Sequence, residues 1–421
     1  MIYLAILKNK VRQNKILYIQ NLTLCICLAI TLILYNFFSF RYINVDIMKL
    51  INMVISLGLL LITLPLSISS RKYYNKYTNF IRGVLFLTIL SIFSSWMFWE
   101  QSIVLGFRVT YVSFCIGFFF LLVYYQIPLS VIEKYVIIVG IAYCLAWLLG
   151  FVTLPNSIFG SFRGEDEGVI NDSRGLVRMM ITGKTSVVLA YFLSLTKFSY
   201  GGGKKFLVLG GLFFTFIVLM VTRQIIIFSF LISMLFLFRN NKGRYIIVLI
   251  VLIGYSLIDR INKLPVLKAL TELTESQIID NRTEENVRIK EYKYFFTDYS
   301  QNTLSKIIGN GYPHLESKFG KRYKKIQKDK RYFLSDVGYA RMYADLGLVG
   351  LLLYLAIFIK TSLTKCDKNY MFARLFMIYM LFANIGADWY AKIDGILAIC
   401  VCTYLLGRSN KNVLLKSLKL K

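Results

Sequence analysis

Apolar runs of about twenty residues recur from one end of the chain to the other, and this feature constrains the fold more than any other. A run of that length crosses the ~30 Å hydrocarbon core of a bilayer as an α-helix, whereas a helix of a soluble domain is apolar along one stripe only. By this criterion the sequence predicts about twelve spans, centred near residues 27, 60, 90, 114, 144, 190, 213, 231, 251, 353, 378 and 399. The expected fold is therefore all-α, a polytopic membrane protein of about 12 transmembrane helices. Composition agrees, with 57% hydrophobic residues and a mean hydropathy of +0.60. The opening MIYLAILKNKVRQNK runs into the first span without a small-x-small cleavage site, so it reads as the start of a retained helix.

The formal net charge of +28 would suggest nucleic acid on a soluble protein. Here Lys and Arg fall mostly in short clusters between apolar runs, so topology accounts for them and no nucleic-acid partner is expected. Clusters at Lys8–Lys15, Arg71–Arg82, Lys197–Lys205, Arg239–Arg244, Lys360–Lys368 and Arg408–Lys421 share one face if both termini are cytoplasmic. One stretch decides the parity. Phe206–Phe238 is apolar except at VTRQ, residues 221–224. A single helix of that length would extend roughly 50 Å at ~1.5 Å per residue and would bury Arg223 at a cost of at least about 3 kcal/mol. Two short spans meeting at Arg223, near the outer surface, avoid both problems.

That parity turns three segments outward: a polar loop at Pro155–Thr182, a tight turn at Arg223, and a long hydrophilic segment from Asp259 to about Arg341. The chain then divides into a membrane domain at 1–258 with the first nine spans, one large helical extracytoplasmic loop at 259–341, and the last three spans with a cytoplasmic tail at 342–421. Of the seven cysteines, six lie in apolar runs and Cys366 lies in a short basic loop, so no disulfide is expected. One His and no CxxC pair leave little material for zinc, and no metal site is assigned.

Each candidate for chemistry has a plainer alternative. Arg223 is either a snorkelling interface residue or a phosphate ligand suited to a guanidinium fork. Arg174 and Arg178, one helical turn apart beside a span, either belong to a solvated loop or present two charges to phosphate at the membrane rim. Thr283–Phe296 reads as an amphipathic helix in which Arg288 is spaced to pair with Glu284. IIGNGYP, residues 307–313, is a Gly-rich turn without the frame of a nucleotide loop. His314, the only histidine, is an ordinary loop residue or a catalyst. At Asp336 the alternatives are a helix N-cap, by Asp336 or Ser335, and a general base toward a sugar hydroxyl. Asp345 is spaced to pair with Arg341.

Together VTRQ, Arg288 with the aromatic helix and IIGNGYP after it, and SDVGYARMYADLGLVG resemble the O-antigen polymerase and ligase superfamily, most nearly a Wzy-type oligosaccharide repeat-unit polymerase. VTRQ is similar to the family's Thr-x-Arg-type motif, and the last segment to its pattern ending in Gly-Leu-x-Gly. Ligases carry a His where Ser335-Asp336 stand here, which favours a polymerase. The resemblance implies a GT-C-like bacterial inner-membrane glycosyltransferase that needs no cofactor. Its substrate would be an undecaprenyl-diphosphate-linked oligosaccharide, polymerised into capsule, O-antigen or exopolysaccharide, with flippase and chain-length regulator proteins as partners. Arg223 and Arg288 would bind the diphosphate, with Arg174 and Arg178 beside them, and Asp336 or His314 would act in catalysis. The basic run Lys318–Arg331 is a solvated helix or a guide for anionic glycan or lipid headgroups. The rivals are a lipid-linked oligosaccharide flippase, a ligase-type transferase, and a membrane protein without chemistry. A flippase would show two related halves and short outward loops.

Overall fold

The computed structural model describes residues 21–37, 45–68, 75–153, 159, 181–220, 222–239 and 287–419, with side chains except at 45 and 410–419. Among the described residues there are helices and no strand. The first group is α1 (Asn21–Leu34), α2 (Val45–Ile68), α3 (Thr78–Trp99), α4 (Ile103–Tyr125, with a 3-10 stretch at Tyr111–Gly117), α5 (Leu129–Val152), α6 (Lys184–Ser199), α7 (Lys204–Leu219) and α8 (Arg223–Phe238). The second is α9 (Val287–Thr297), α10 (Thr303–Ile308), α11 (Lys318–Lys330), α12 (Gly338–Leu363), α13 (Met371–Ala383) and α14 (Ile393–Lys419).

Five of these helices, α2, α3, α4, α5 and α12, are long and apolar enough to cross a membrane. Helices also stand at the other predicted centres that are described: α14 has 27 residues, while α1, α6, α7, α8 and α13 are shorter than a full span. α7 and α8 have 16 residues each, or about 24 Å, less than a bilayer core. The chain does break between them, after Leu219 and before Arg223. The predicted span near 251, residues 259–286 of the polar segment, and most of Pro155–Thr182, with Arg174 and Arg178, lie outside the described residues.

The helices run up and down, and each end of the bundle is tied by its own contacts. At one end Asn75 Nδ2 donates to the Tyr404 carbonyl at 3.0 Å, Arg408 Nη1 donates to the Ile127 carbonyl at 2.8 Å, and Lys197 pairs with Glu133 at 2.7 Å. At the other end Gln101 Nε2 donates to the Tyr312 carbonyl at 2.9 Å and the Thr185 N–H donates to Asp394 at 3.0 Å. One apolar core runs through the bundle. A second, smaller core of Trp99, Tyr294, Phe295, Tyr299, Phe319, Ile326, Leu334 and Val337 packs α9 and α11 onto the end of α3 and the start of α12. Residues 287–337 of the polar segment thus form a folded cap with its own interior, seated on one end of the bundle.

The two glycine motifs meet where this cap joins the bundle. α12 breaks at Gly347, whose φ of 72° and ψ of −175° lie outside helix geometry. This is a left-handed φ that a side chain resists, and a β-carbon there would sit on the Ile307 carbonyl and the Gly309 nitrogen. The break leaves carbonyls without helical donors. Gly309-Asn310-Gly311 supplies them: the Asn310 N–H donates to the Ala344 carbonyl at 2.9 Å and the Gly311 N–H to that of Asp345 at 3.0 Å. Fully buried Asn310 also accepts from Trp99 Nε1 at 3.3 Å. IIGNGYP and ADLGLVG are therefore two halves of one joint.

Candidate functional site

The turn after α13, residues 384–392, is the meeting point of three elements far apart in sequence. Its chain is held from above by the peptide before α12: the Asp388 N–H donates to the Ser335 carbonyl at 3.2 Å and the Tyr339 N–H to that of Asn384 at 3.2 Å. From the side comes α8, whose Gln224 amide donates to the Ala383 carbonyl. From α9, the Tyr292 hydroxyl donates to the Ile385 carbonyl at 2.6 Å. Gly386 sits at the centre. A β-carbon on it would lie 2.9 Å from Arg288 Nη1 and 3.2 Å from Gln224 Nε2, so both side-chain ends approach the turn closely at this residue.

Arg288 and the start of α8, predicted sites that lie 65 positions apart in the sequence, are thus brought to one surface by Gly386. Arg288 is exposed and Arg223, the first residue of α8, is half-buried. The N-terminus of α8 adds the positive end of a helix dipole at Arg223. Guanidinium forks and helix N-termini both favour phosphate oxygens.

Asp336 lies at the rim of this surface, exposed, in a short 3-10 turn at Leu334–Asp336. It is not an N-cap, and neither is Ser335: α12 is capped by Val337 with no side-chain hydrogen bond, and Ser335 Oγ donates to Asp336 Oδ1 at 3.1 Å instead. The capping expectation fails because the 3-10 turn ends one residue short of the helix. Glu284, the proposed partner of Arg288, lies outside the described residues.

The sequence reading passed over Glu291. One turn after Arg288 on α9, it is 2% exposed and its Oε1 accepts the Phe333 N–H at 2.9 Å. Burial pushes its pKa up to about 7; nearby Asp336 adds to the shift, and the Phe333 N–H and Arg288 oppose it. A carboxyl that gains and loses its proton near neutrality, between an arginine and a second carboxylate, has the properties of a general acid or base. Its i, i+3 spacing from Arg288 was visible in the sequence. Its burial was not, because the peptide that meets it, at Phe333, lies 42 positions away in the sequence.

At the base of the turn four ionisable side chains meet. Arg341 Nε donates to fully buried Asp345 at 3.1 Å, the predicted i, i+4 pair, and its Nη1 meets Asp388. Lys392 reaches Asp388 at 3.3 Å and lies 4.1 Å from the Trp389 ring centre. Burial would push the Asp388 carboxyl up, but Lys392 and Arg341 outweigh burial and hold it below the ordinary aspartate value. Asp388 and Lys392 stand four apart between the last two spans, a spacing visible in the sequence, whereas the meeting of Asp388 with Arg341 is a product of the fold.

His314 is placed elsewhere. Its N–H donates to Gln101 Oε1 at 2.9 Å, its Nδ1 accepts the Glu316 N–H at 3.3 Å, and its carbonyl accepts from Ser317 Oγ at 2.7 Å. These contacts tie the start of α11 to the α3–α4 turn. No protein-family model matches the chain, and no curated protein does.

Proposed function

We propose that the chain is a membrane glycosyltransferase that joins undecaprenyl-diphosphate-linked oligosaccharide repeat units into a surface polysaccharide. The observation that supports this reading is the meeting of Arg288 with Gln224, the residue after Arg223 on α8, at Gly386, on one end of an apolar bundle. A lipid carrier in the bilayer presents its diphosphate at that depth, and two guanidinium groups are suited to hold it. The sequence motifs named above support the same reading.

In the reaction, an acceptor hydroxyl of one repeat unit bonds to the anomeric carbon of the growing chain. The bond from that carbon to the diphosphate breaks, and the electron pair leaves with the diphosphate. Arg223 and Arg288 stabilise the charge that develops on the leaving group. The hydroxyl proton passes to a carboxylate, for which exposed Asp336 and its neighbour Glu291 are the candidates. The cap would face away from the cytoplasm, in a bacterial inner membrane, with both termini inside.

The test is glycan sizing in a strain lacking the gene, complemented by variants. Deletion should leave single repeat units at the surface, and Arg223→Ala or Arg288→Ala should lower polymer formation on the order of a hundredfold, the effect of removing one charge-stabilising donor, at unchanged protein level. Loss of every exported unit would indicate a flippase instead, and normal chain length in both variants would remove the arginines from the site.

A further inference from the structure

α11 and its C-cap carry Lys318, Lys321, Arg322, Lys324, Lys325, Lys328, Lys330 and Arg331 against Asp329 alone. Helix geometry sorts these charges. At about 100° per residue, Lys321, Lys324, Lys325 and Lys328 fall on one stripe, and all four are exposed. Phe319 and Ile326 point the other way and are buried, with Phe319 stacked on Trp99 at 4.5 Å between ring centres. Three of the other cations contact groups of the fold. Arg322 lies 4.5 Å from the Trp99 ring centre, Lys330 lies 4.2 Å from that of Tyr294, and Lys318 pairs with Glu100 at 2.6 Å.

The depth of α11 follows from what it sits on. Trp99 and Glu100 are the last residue and the C-cap of α3, a helix able to span a membrane. Exposed Phe86, Phe93, Trp96 and Met97 run along α3 toward that end, and exposed Val104 and Phe107 continue on α4. This apolar wall stops where α11 begins. Leu315 and Phe333, just beyond the two ends of α11, are exposed as well. α11 is seated on the end of α3, and an exposed lysine stripe at that level can lay its stems along apolar surface and place its ammonium groups in the headgroup layer. The rings on which α11 packs, Trp99 and Tyr294, are covered by Phe319, Arg322 and Lys330, so the stripe itself offers charge rather than a ring to a ligand.

We infer that the Lys321, Lys324, Lys325 and Lys328 face of α11 docks onto anionic phospholipid headgroups and holds the cap against the membrane surface. This does not depend on the proposed transferase activity. The test uses the full chain in nanodiscs of phosphatidylcholine doped with phosphatidylglycerol, with retained lipid counted by native mass spectrometry. The wild type should retain phosphatidylglycerol selectively and lose it at high salt. The K321Q/K324Q/K325Q/K328Q variant should bind it more than about tenfold more weakly, and the fourfold lysine-to-arginine variant should retain it. Equal retention by the wild type and the glutamine variant overturns the inference. So does absence of selectivity for phosphatidylglycerol combined with tight binding of a soluble acidic polysaccharide, which would assign the face to glycan.

Discussion

At the scale of single residues, Glu291 has the most consequential surroundings. The carboxyl is favoured in its protonated form by folding, since burial raises it from the ordinary 4.5 to about 7. Its contribution to stability is therefore complete below the unfolded value and is lost as pH rises through the folded one. Wild-type protein in detergent should lose thermal stability between about pH 5 and about pH 8, and Glu291→Gln should flatten this component, because the amide oxygen still accepts the Phe333 N–H but carries no titrating proton. A variant with the same pH dependence as the wild type would show that the loss comes from other groups. Asp336 stands within the influence of Glu291 but is exposed. The sequence located Asp336 and could not locate its neighbour, since an aspartate ahead of an apolar run is a local pattern while a buried glutamate is a product of the fold around it.

At the scale of elements, the turn between α13 and α14 is held by charge as well as by backbone hydrogen bonds. Asp345 is fully buried and the Asp388 side chain is 3% exposed, and Arg341 serves both. Replacing Arg341 by Met leaves Asp388 with Lys392 alone and takes from buried Asp345 its cationic partner. Removing one partner of a buried ion pair costs about 3–5 kcal/mol. Arg341→Met should accordingly lower the temperature at which the monodisperse peak is lost on heating and size-exclusion chromatography, and a wild-type melting profile would show that the group is not buried as described. Half of this arrangement was legible. Arg341 and Asp345 are four apart on one helix, so spacing alone pairs them. Asp388 joins from a different helix connection, and no local period could bring it there. The same holds for the Gly motifs: each reads locally as a turn or a helix break, and only the fold shows that one fills the other.

At the scale of the whole molecule, helicity and a membrane setting were legible because every apolar run speaks for itself. The count of full spans was not equally legible. α6, α7, α8 and α13 are apolar but short, from 13 to 16 residues, and length rather than hydropathy separates them from α2 to α5. Short helices packed inside longer ones need not meet lipid along their whole length, and the core through α6 and α13 is closed around them. The alternation of the helices then fixes one relation firmly: the cap with α11 is at one end, and the basic turns at Lys197–Lys205 and Lys360–Lys368 are at the other. If the positive-inside rule holds, the cap is outside. The check is thiol labelling in a background with Cys25 and Cys366 replaced by serine, since these are the free cysteines that are not buried. A cysteine at Lys328 should react with a membrane-impermeant maleimide in spheroplasts, and one at Lys365 should react only after the membrane is opened. The reverse pattern would place α11 and the arginines of the candidate site in the cytoplasm, where a carrier-linked glycan already moved across the membrane could not reach them.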